Sequence, residues 1–144
     1  MRITEIDLQC EDIMWFGVDT IGNIFECTSA GYGNVPEYVC RSREETDKLV
    51  DFFTQTLTKS TEYTLLIPRD DSQLIDDITE LSSKGIYCYD MADHDNEEIY
   101  TRVSIPIKPI NISELPQDIK DILSDHFYNS DITNCSTISV KHAY

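Results

Sequence analysis

Acidic side chains form the densest group of potential ligands in this sequence. Between positions 90 and 98 the possible donors are Asp90, Asp93, His94, Asp95, Glu97 and Glu98. A hard cation such as Ca²⁺ prefers several oxygen ligands at roughly 2.3–2.6 Å, but the glycine and the closing glutamate of an EF-hand loop are missing from this segment. The segment is most typical of a solvated loop between two strands, then of a contact for a basic partner, and last of a weak metal site. We therefore predict no metal and no cofactor.

A second group of acids, Asp76, Asp77 and Glu80, lies on a predicted helix. Asp76 and Glu80 are four residues apart, where like charges on a helix repel each other by a few tenths of a kcal/mol. A helix with this repulsion either tolerates it or presents a negative face to a partner, and the sequence favours neither interpretation.

A thiol-dependent hydrolase is the enzymatic alternative. Cys27 would be its nucleophile and His126 its base, because Cys–His pairs come together only in the folded protein. The histidines do not have the HExxH spacing of zinc enzymes, and Ser29 does not lie on a GxSxG elbow. The residue types therefore favour a protein that is not an enzyme.

The segment Gly31-Tyr32-Gly33 follows a predicted strand, as a phosphate-binding loop would. It lacks the third glycine of GxGxxG and the lysine of a P-loop, so it is more typical of a structural turn. Tyr32 and Tyr38 are the aromatic side chains that we expect to be exposed, and aromatic residues are enriched in interfaces. Tyr32 is therefore a candidate contact for a partner.

The charge of the chain narrows the class of partner. There are 27 acidic and 11 basic residues, which gives a net charge of −16. Binding of nucleic acid requires a basic patch, and anionic membrane surfaces attract basic segments. Both partners are therefore disfavoured, whereas a basic protein would be attracted rapidly. The same charge could also serve solubility alone, as in a structural or scaffold domain.

The cysteines and the N-terminal segment indicate a compartment. The five cysteines are an odd number without a CxxC pair, so a disulfide framework or a zinc ribbon is not indicated. We expect reduced, partly buried thiols. The first residues carry acids and no apolar h-region, and no apolar run approaches the ~20 residues of a membrane span. The predicted location is the cytoplasm.

The residue pattern predicts one globular domain over residues 1–144, of the α+β class. Its sheet should be mostly antiparallel, with about three helices in the order ββ-α-β-α-β-β-α-β. Ser42 and Glu45 form a capping box for the first helix, Gly85 is placed to end the second, and Pro116 begins the third. The predicted strands are 13–18, 24–28, 63–67 (buried and ended by Pro68), 86–89, 99–107 and 132–140; the predicted helices are 43–57, one capped by Asp71 or Ser72, and one after Pro116.

Several short motifs resemble those of small bacterial proteins that include immunity proteins of polymorphic toxin systems. They are residues 15–19 (WFGVD), 22–24 (GNI), 29–31 (SAG), 35–37 (VPE), 85–90 (GIYCYD) and 115–116 (LP). The resemblance implies a non-enzymatic protein that neutralises a cognate toxin by occlusion. Such a toxin would be a basic, nuclease-type domain, because the substrate of a nuclease is a polyanion.

An acidic inhibitor of this kind would bind through its exposed carboxylates, with an aromatic anchor. The predicted partner-binding residues are Asp76, Asp77, Glu80, Asp93, Asp95, Glu97, Glu98 and Tyr32.

Overall fold

The computed structural model describes residues 1–67, 72–92 and 94–144, and the side chains of residues 72–75 are also outside the description. The predicted strand end at Pro68 and the possible cap at Asp71 lie outside the described residues. So do Asp93 of the acidic segment and the side chains of Leu74 and Ile75, which were assigned to the apolar face of the second predicted helix.

Within these bounds, six strands form one sheet and five α-helices pack against it. The strands are β1 (Met14–Val18), β2 (Ile24–Thr28), β3 (Tyr63–Leu65), β4 (Tyr87–Met91), β5 (Ile99–Pro106) and β6 (Thr137–Ser139). The helices are α1 (Glu5–Cys10), α2 (Glu37–Cys40), α3 (Arg43–Asp51), α4 (Ser72–Ser82) and α5 (Gln117–Ser124). None of the described helices is both long enough and apolar enough to cross a bilayer.

The sheet has the strand order β1-β2-β4-β5-β3, and β6 also pairs with β5. β3 pairs with residues 104–106 of β5 and β6 pairs with residues 99–101, so β3 and β6 lie at opposite ends of β5. Four of the five strand pairs are antiparallel, whereas β2 and β4 are parallel. The predicted α+β class and its mostly antiparallel sheet are confirmed. The predicted order of elements is also confirmed, with the short helices α1 and α2 added to it.

The turn between β1 and β2 is stabilised by one buried carboxylate. Asp19 accepts hydrogen bonds from the backbone N–H groups of Ile21 at 3.1 Å and Asn23 at 2.7 Å. Its other oxygen accepts from the N–H of Ile132 at 2.9 Å, which joins the turn to the C-terminal segment. Gly22 adopts φ +91°, a left-handed conformation that glycine adopts without strain. The two predicted strands therefore form an antiparallel hairpin.

Two apolar cores lie on opposite faces of the sheet, because successive strand residues point to opposite faces. Trp15 packs with Phe25 and Tyr100 on the face covered by α1, α2 and the C-terminal segment. Phe16 packs with Phe53 on the face covered by α3, α4 and α5. Trp15 and Phe16 are both fully buried.

The first predicted helix is α3, which continues into a π-helical turn at Phe52–Thr56. The Ser42 hydroxyl accepts from the N–H of Glu45 at 3.2 Å, as the capping box predicts. The Glu45 carboxylate does not return the bond, and its Oε2 is buried without a hydrogen-bond partner among the described residues. Only half of the predicted box is therefore formed.

The turn after α4 requires glycine, as predicted. Gly85 has φ +97°, and a Cβ at this position would lie 2.6 Å from the backbone nitrogen of Ile110. The third predicted helix is α5, which begins directly after Pro116 and buries Ile119, Ile122 and Leu123.

The prediction of a buried strand over residues 63–67 is wrong in its burial and its length. β3 spans Tyr63–Leu65 and pairs only with β5, so it is an edge strand. Tyr63 and Leu66 remain 40 % and 48 % exposed. An apolar run does not by itself show which strand lies at the edge, because strand order depends on pairing between distant segments.

Candidate functional site

The parallel pair β2–β4 brings two functional loops to one end of the sheet. Thr28 at the end of β2 lies opposite Asp90 near the end of β4. Because parallel strands end on the same side, the loop containing Tyr32 and the residues that follow β4, of which 92 and 94–98 are described, lie at the same end of the sheet. We call this surface the acidic end and define it by Asp12, Tyr32, Asp77, Asp95, Glu97 and Glu98.

Direct contacts join the two loops. The rings of Tyr32 and His94 are stacked, with centroids 4.1 Å apart and planes at 23°. The N–H of Asn34 donates to the carbonyl of Glu97 at 2.8 Å. Tyr32 and Glu97 also line one cleft of about 340 Å³. The structure therefore brings together two features that were predicted separately, the aromatic anchor and the acidic segment.

The loop after β2 is held in place by a close backbone approach. A Cβ at Gly33 would lie 2.6 Å from the Met91 sulfur and 2.9 Å from the Tyr100 hydroxyl. Asp12 accepts from the N–H of Ala30 at 2.7 Å, which joins the loop to the segment before β1. The prediction that Gly31 and Gly33 belong to a structural turn is confirmed. Tyr32 and Tyr38 are both partly exposed, and the Tyr38 ring also packs against Trp15 and His126.

A second cleft, of about 260 Å³, lies between the sheet and α4. Its lining includes Asp12, Met14, Glu26, Thr28, Asp77, Ile78 and Leu81. Glu26 is only 2 % exposed and accepts a hydrogen bond from the Thr28 hydroxyl. Burial, together with the nearby Asp90 and Asp12, raises the pKa of Glu26 to about 8, against the opposing hydrogen bonds from Thr28 and Cys88. Glu26 therefore retains its proton at neutral pH.

Glu26 was missed as a site residue by sequence reasoning. The alternation of apolar and polar residues from Ile24 to Thr28 suggests that Glu26 faces solvent, but α4 covers that face of the sheet. The available signal was the composition of the strand, where Ile24, Phe25 and Cys27 surround a single acid. A lone charged residue among such neighbours is unusual, because buried charges require partners.

The predicted residues of α4 have different surroundings. Asp76 and Asp77 are exposed, and Asp77 lines the cleft above Glu26. Glu80 lies 3.6 Å from the ammonium of Lys84, one turn further along the chain. This ion pair offsets part of the repulsion expected between Asp76 and Glu80. Asp77 is therefore the α4 acid that is placed best to contribute to the acidic end.

The predicted acids of the loop, Asp95, Glu97 and Glu98, are all exposed. Among the described residues, no ion pair involves Asp77, Glu97 or Glu98, while Arg41, Arg43 and Lys48 form theirs with acids of α1, α5 and the adjoining segments. The described part of the chain also contains no group of three or more His, Cys, Asp or Glu side chains arranged to hold a metal ion. The chemistry available at the acidic end is therefore attraction and hydrogen bonding to cationic groups.

The proposed thiol and base of a hydrolase have opposite properties to those that catalysis requires. Cys27 is fully buried, and burial raises its pKa well above the ordinary value. A nucleophilic thiol needs a lowered pKa and access to substrate. His126 is also fully buried, with Nδ1 2.9 Å from the Phe16 carbonyl oxygen and a pKa lowered by burial. All five cysteines are free, and Cys27, Cys40 and Cys88 are buried.

A larger groove, of about 480 Å³, is lined by Tyr38, Phe127, Tyr128 and the C-terminal segment. Phe127 is 49 % exposed there. The charged residues in its lining are Glu37 and Lys141, which have opposite signs. We place the candidate site at the acidic end instead, because that surface combines one sign of charge with a perturbed buried acid.

Comparison with known proteins adds no assignment, since no family model, curated protein or solved structure matches the chain. The described residues form an acidic α+β protein with a mixed sheet, one cleft beside α4 and another beside α1.

Proposed function

We propose that this chain is a non-enzymatic binding protein of the immunity type, which neutralises a basic, nuclease-type toxin in the cytoplasm by covering its substrate-binding surface. The observation that carries the proposal is the acidic end itself. Glu97 and Glu98 are exposed in the loop that packs against the partly exposed Tyr32, and Asp77 is exposed beside the cleft under α4. None of the ion pairs in the described residues involves Asp77, Glu97 or Glu98.

The mechanism follows from charge complementarity. A nuclease binds a polyanion through lysine and arginine, and exposed carboxylates can occupy the same groups. Attraction at a distance accelerates encounter, and close charge pairs at such interfaces couple by roughly 1.5–7 kcal/mol. The Tyr32 ring, held by His94, offers an ordered apolar contact in the middle of this charged surface. Occlusion needs no catalytic residue of its own.

The test uses a purified basic, nuclease-type toxin domain as the candidate partner and measures affinity by calorimetry over a range of salt concentrations. We expect the double variant Glu97→Lys and Glu98→Lys to weaken binding at least 100-fold, or about 2.7 kcal/mol. The remaining affinity should depend less on salt, because fewer opposite charges meet.

The matched control is Asp47→Lys with Asp51→Lys, which makes the same change in charge at exposed positions of α3. It should weaken binding far less, since it alters only the long-range field. Equal effects of the two double variants would show that net charge, and not the acidic end, governs association. The absence of any tight complex with a basic partner would instead favour a scaffold role.

A further inference from the structure

Glu26 lies at the floor of the cleft between the sheet and α4, and it is a group that the proposed binding role does not require. Asp77, Ile78 and Leu81 of α4 line the same cleft. Ile78 and Leu81 belong to the apolar core beneath the helix and are 4 % and 2 % exposed. The Glu26 carboxyl group is therefore buried next to the surface on which α4 is seated.

Acidic groups approach Glu26 from each element around it. Asp12 comes from the segment before β1, Asp90 comes from β4, and Asp77 comes from α4. No ion pair of the described residues supplies Glu26 with a lysine or arginine, and its hydrogen-bond donors are neutral, the Thr28 hydroxyl and the Cys88 thiol. A carboxylate in this position would be buried among like charges, which is unfavourable unless a cation compensates it.

We propose that protonated Glu26 is a pH-sensitive latch that keeps α4 seated on the sheet, and that loss of its proton in mildly alkaline solution loosens α4 around residues 76–82. The deprotonated group would draw water into the cleft and repel Asp77 above it. The inference does not depend on the proposed function, because it concerns the free protein.

The direction of the pH effect follows from proton linkage. The folded protein holds the Glu26 proton up to a pKa of about 8, whereas an unfolded glutamate has a pKa near 4.5. The folded state therefore binds more protons between these values, so stability is fully present below the lower value and is lost as pH rises through the upper one. His126 works in the opposite direction, since its lowered pKa reduces stability only below about pH 6.5. Since a Glu26→Gln variant retains His126, the difference between it and the natural protein isolates the contribution of Glu26.

The experiment compares urea unfolding of the natural protein with that of Glu26→Gln, which keeps the shape and an oxygen acceptor for Thr28 but cannot ionise. The unfolding equilibrium constant of the natural protein should rise close to tenfold per pH unit between pH 6.5 and 7.5. That of Glu26→Gln should change less than threefold. The matched control Asp12→Asn removes a charge from the same cleft and should retain the steep dependence. Equal pH dependence in the natural protein and Glu26→Gln would overturn the latch.

Hydrogen exchange locates the effect within the molecule. At pH 8, amides of residues 76–82 should exchange at least fivefold faster in the natural protein than in Glu26→Gln, while amides of β1 should change less. At pH 6.5 the two proteins should be alike at both places. Equal exchange of residues 76–82 at pH 8 would exclude the loosening of α4. If Glu26→Gln does not fold, carbon NMR of glutamate carboxyl groups in the natural protein decides, because titration of every glutamate below pH 6 would overturn the proposal.

Discussion

Two regions of the molecule use acidic residues in opposite ways. On the helical side, cations hold elements together: Arg43 lies 3.3 Å from Asp7 and 3.0 Å from Glu11, which joins α3 to α1. Lys48 lies 3.0 Å from Asp118 and joins α3 to α5. We call this region the paired side. At the acidic end, the same residue types crowd around two clefts and no described ion pair compensates Asp77, Glu97 or Glu98.

The net charge of −16 is therefore distributed unevenly over the surface, with paired carboxylates in one region and unpaired carboxylates in another. Each exposed ion pair on the paired side contributes little to stability, but together they connect helices that are distant in sequence. Asp77, Glu97 and Glu98 of the acidic end have no ion-pair partner among the described residues, and the loops there are held by packing and backbone hydrogen bonds. Variants on the two sides should therefore differ in what they damage.

The largest expected effect comes from the packing beneath the acidic end. Gly33→Ala places a methyl group against Met91 and Tyr100 in a buried region. Overpacking of this kind costs about 1–3 kcal/mol, which urea unfolding can measure. Affinity for the partner should also fall, because the loop carries Tyr32. A loss below about 0.5 kcal/mol would mean that Met91 moves aside and that the loop does not depend on this contact.

A smaller effect should follow from breaking the paired side. Arg43→Gln removes the bridge between α3 and α1, and we expect a loss of about 0.5–1 kcal/mol at low salt, within the range for partly exposed ion pairs. The loss should shrink in 1 M NaCl because the charges are screened. Lys108→Gln is the control, since it removes an exposed cation for which no ion pair is described. Equal losses in both variants would remove the structural distinction between paired and unpaired charges.

The smallest effect on stability should come from neutralising the acidic end. Glu97→Gln with Glu98→Gln removes two charges without a described ion-pair partner, so unfolding free energy should change by less than about 0.5 kcal/mol, and any change should be a gain. Thermal and urea unfolding at low salt would measure it. A clear loss would show that these carboxylates stabilise the fold, and the acidic end would then be a structural feature like the paired side.

Local signals in the sequence predicted much of this fold. The Ser42 cap and the helix end at Gly85 each depend on residues only a few positions away, and each appears where the sequence predicts it. Helix α1 was missed although Thr4 and Asp7 form a reciprocal cap, because the pattern uses aspartate where glutamate or glutamine is usual.

The remaining features depend on segments that are distant in sequence. The two loops of the acidic end lie close together because β2 pairs with β4. Glu26 is buried because α4 packs over that face of the sheet. Position 26 has the same local pattern as any strand residue that faces solvent. The acids of the loop could be identified from sequence, but their contact with Tyr32 could not, because no local rule gives the neighbour of a strand in a sheet.

The parallel pairing also has a kinetic consequence. Phe25 lies opposite Tyr87, so the central strand pair of the sheet forms only after a strand from the second half of the chain has docked against β2. Contacts of such long range slow folding, because chain entropy is lost before they form. A nascent or truncated chain that contains the first hairpin and α3 would carry many of the negative charges but not the surface assembled by β4. A partner would then bind only completely folded chains, and incomplete chains would not compete for that partner.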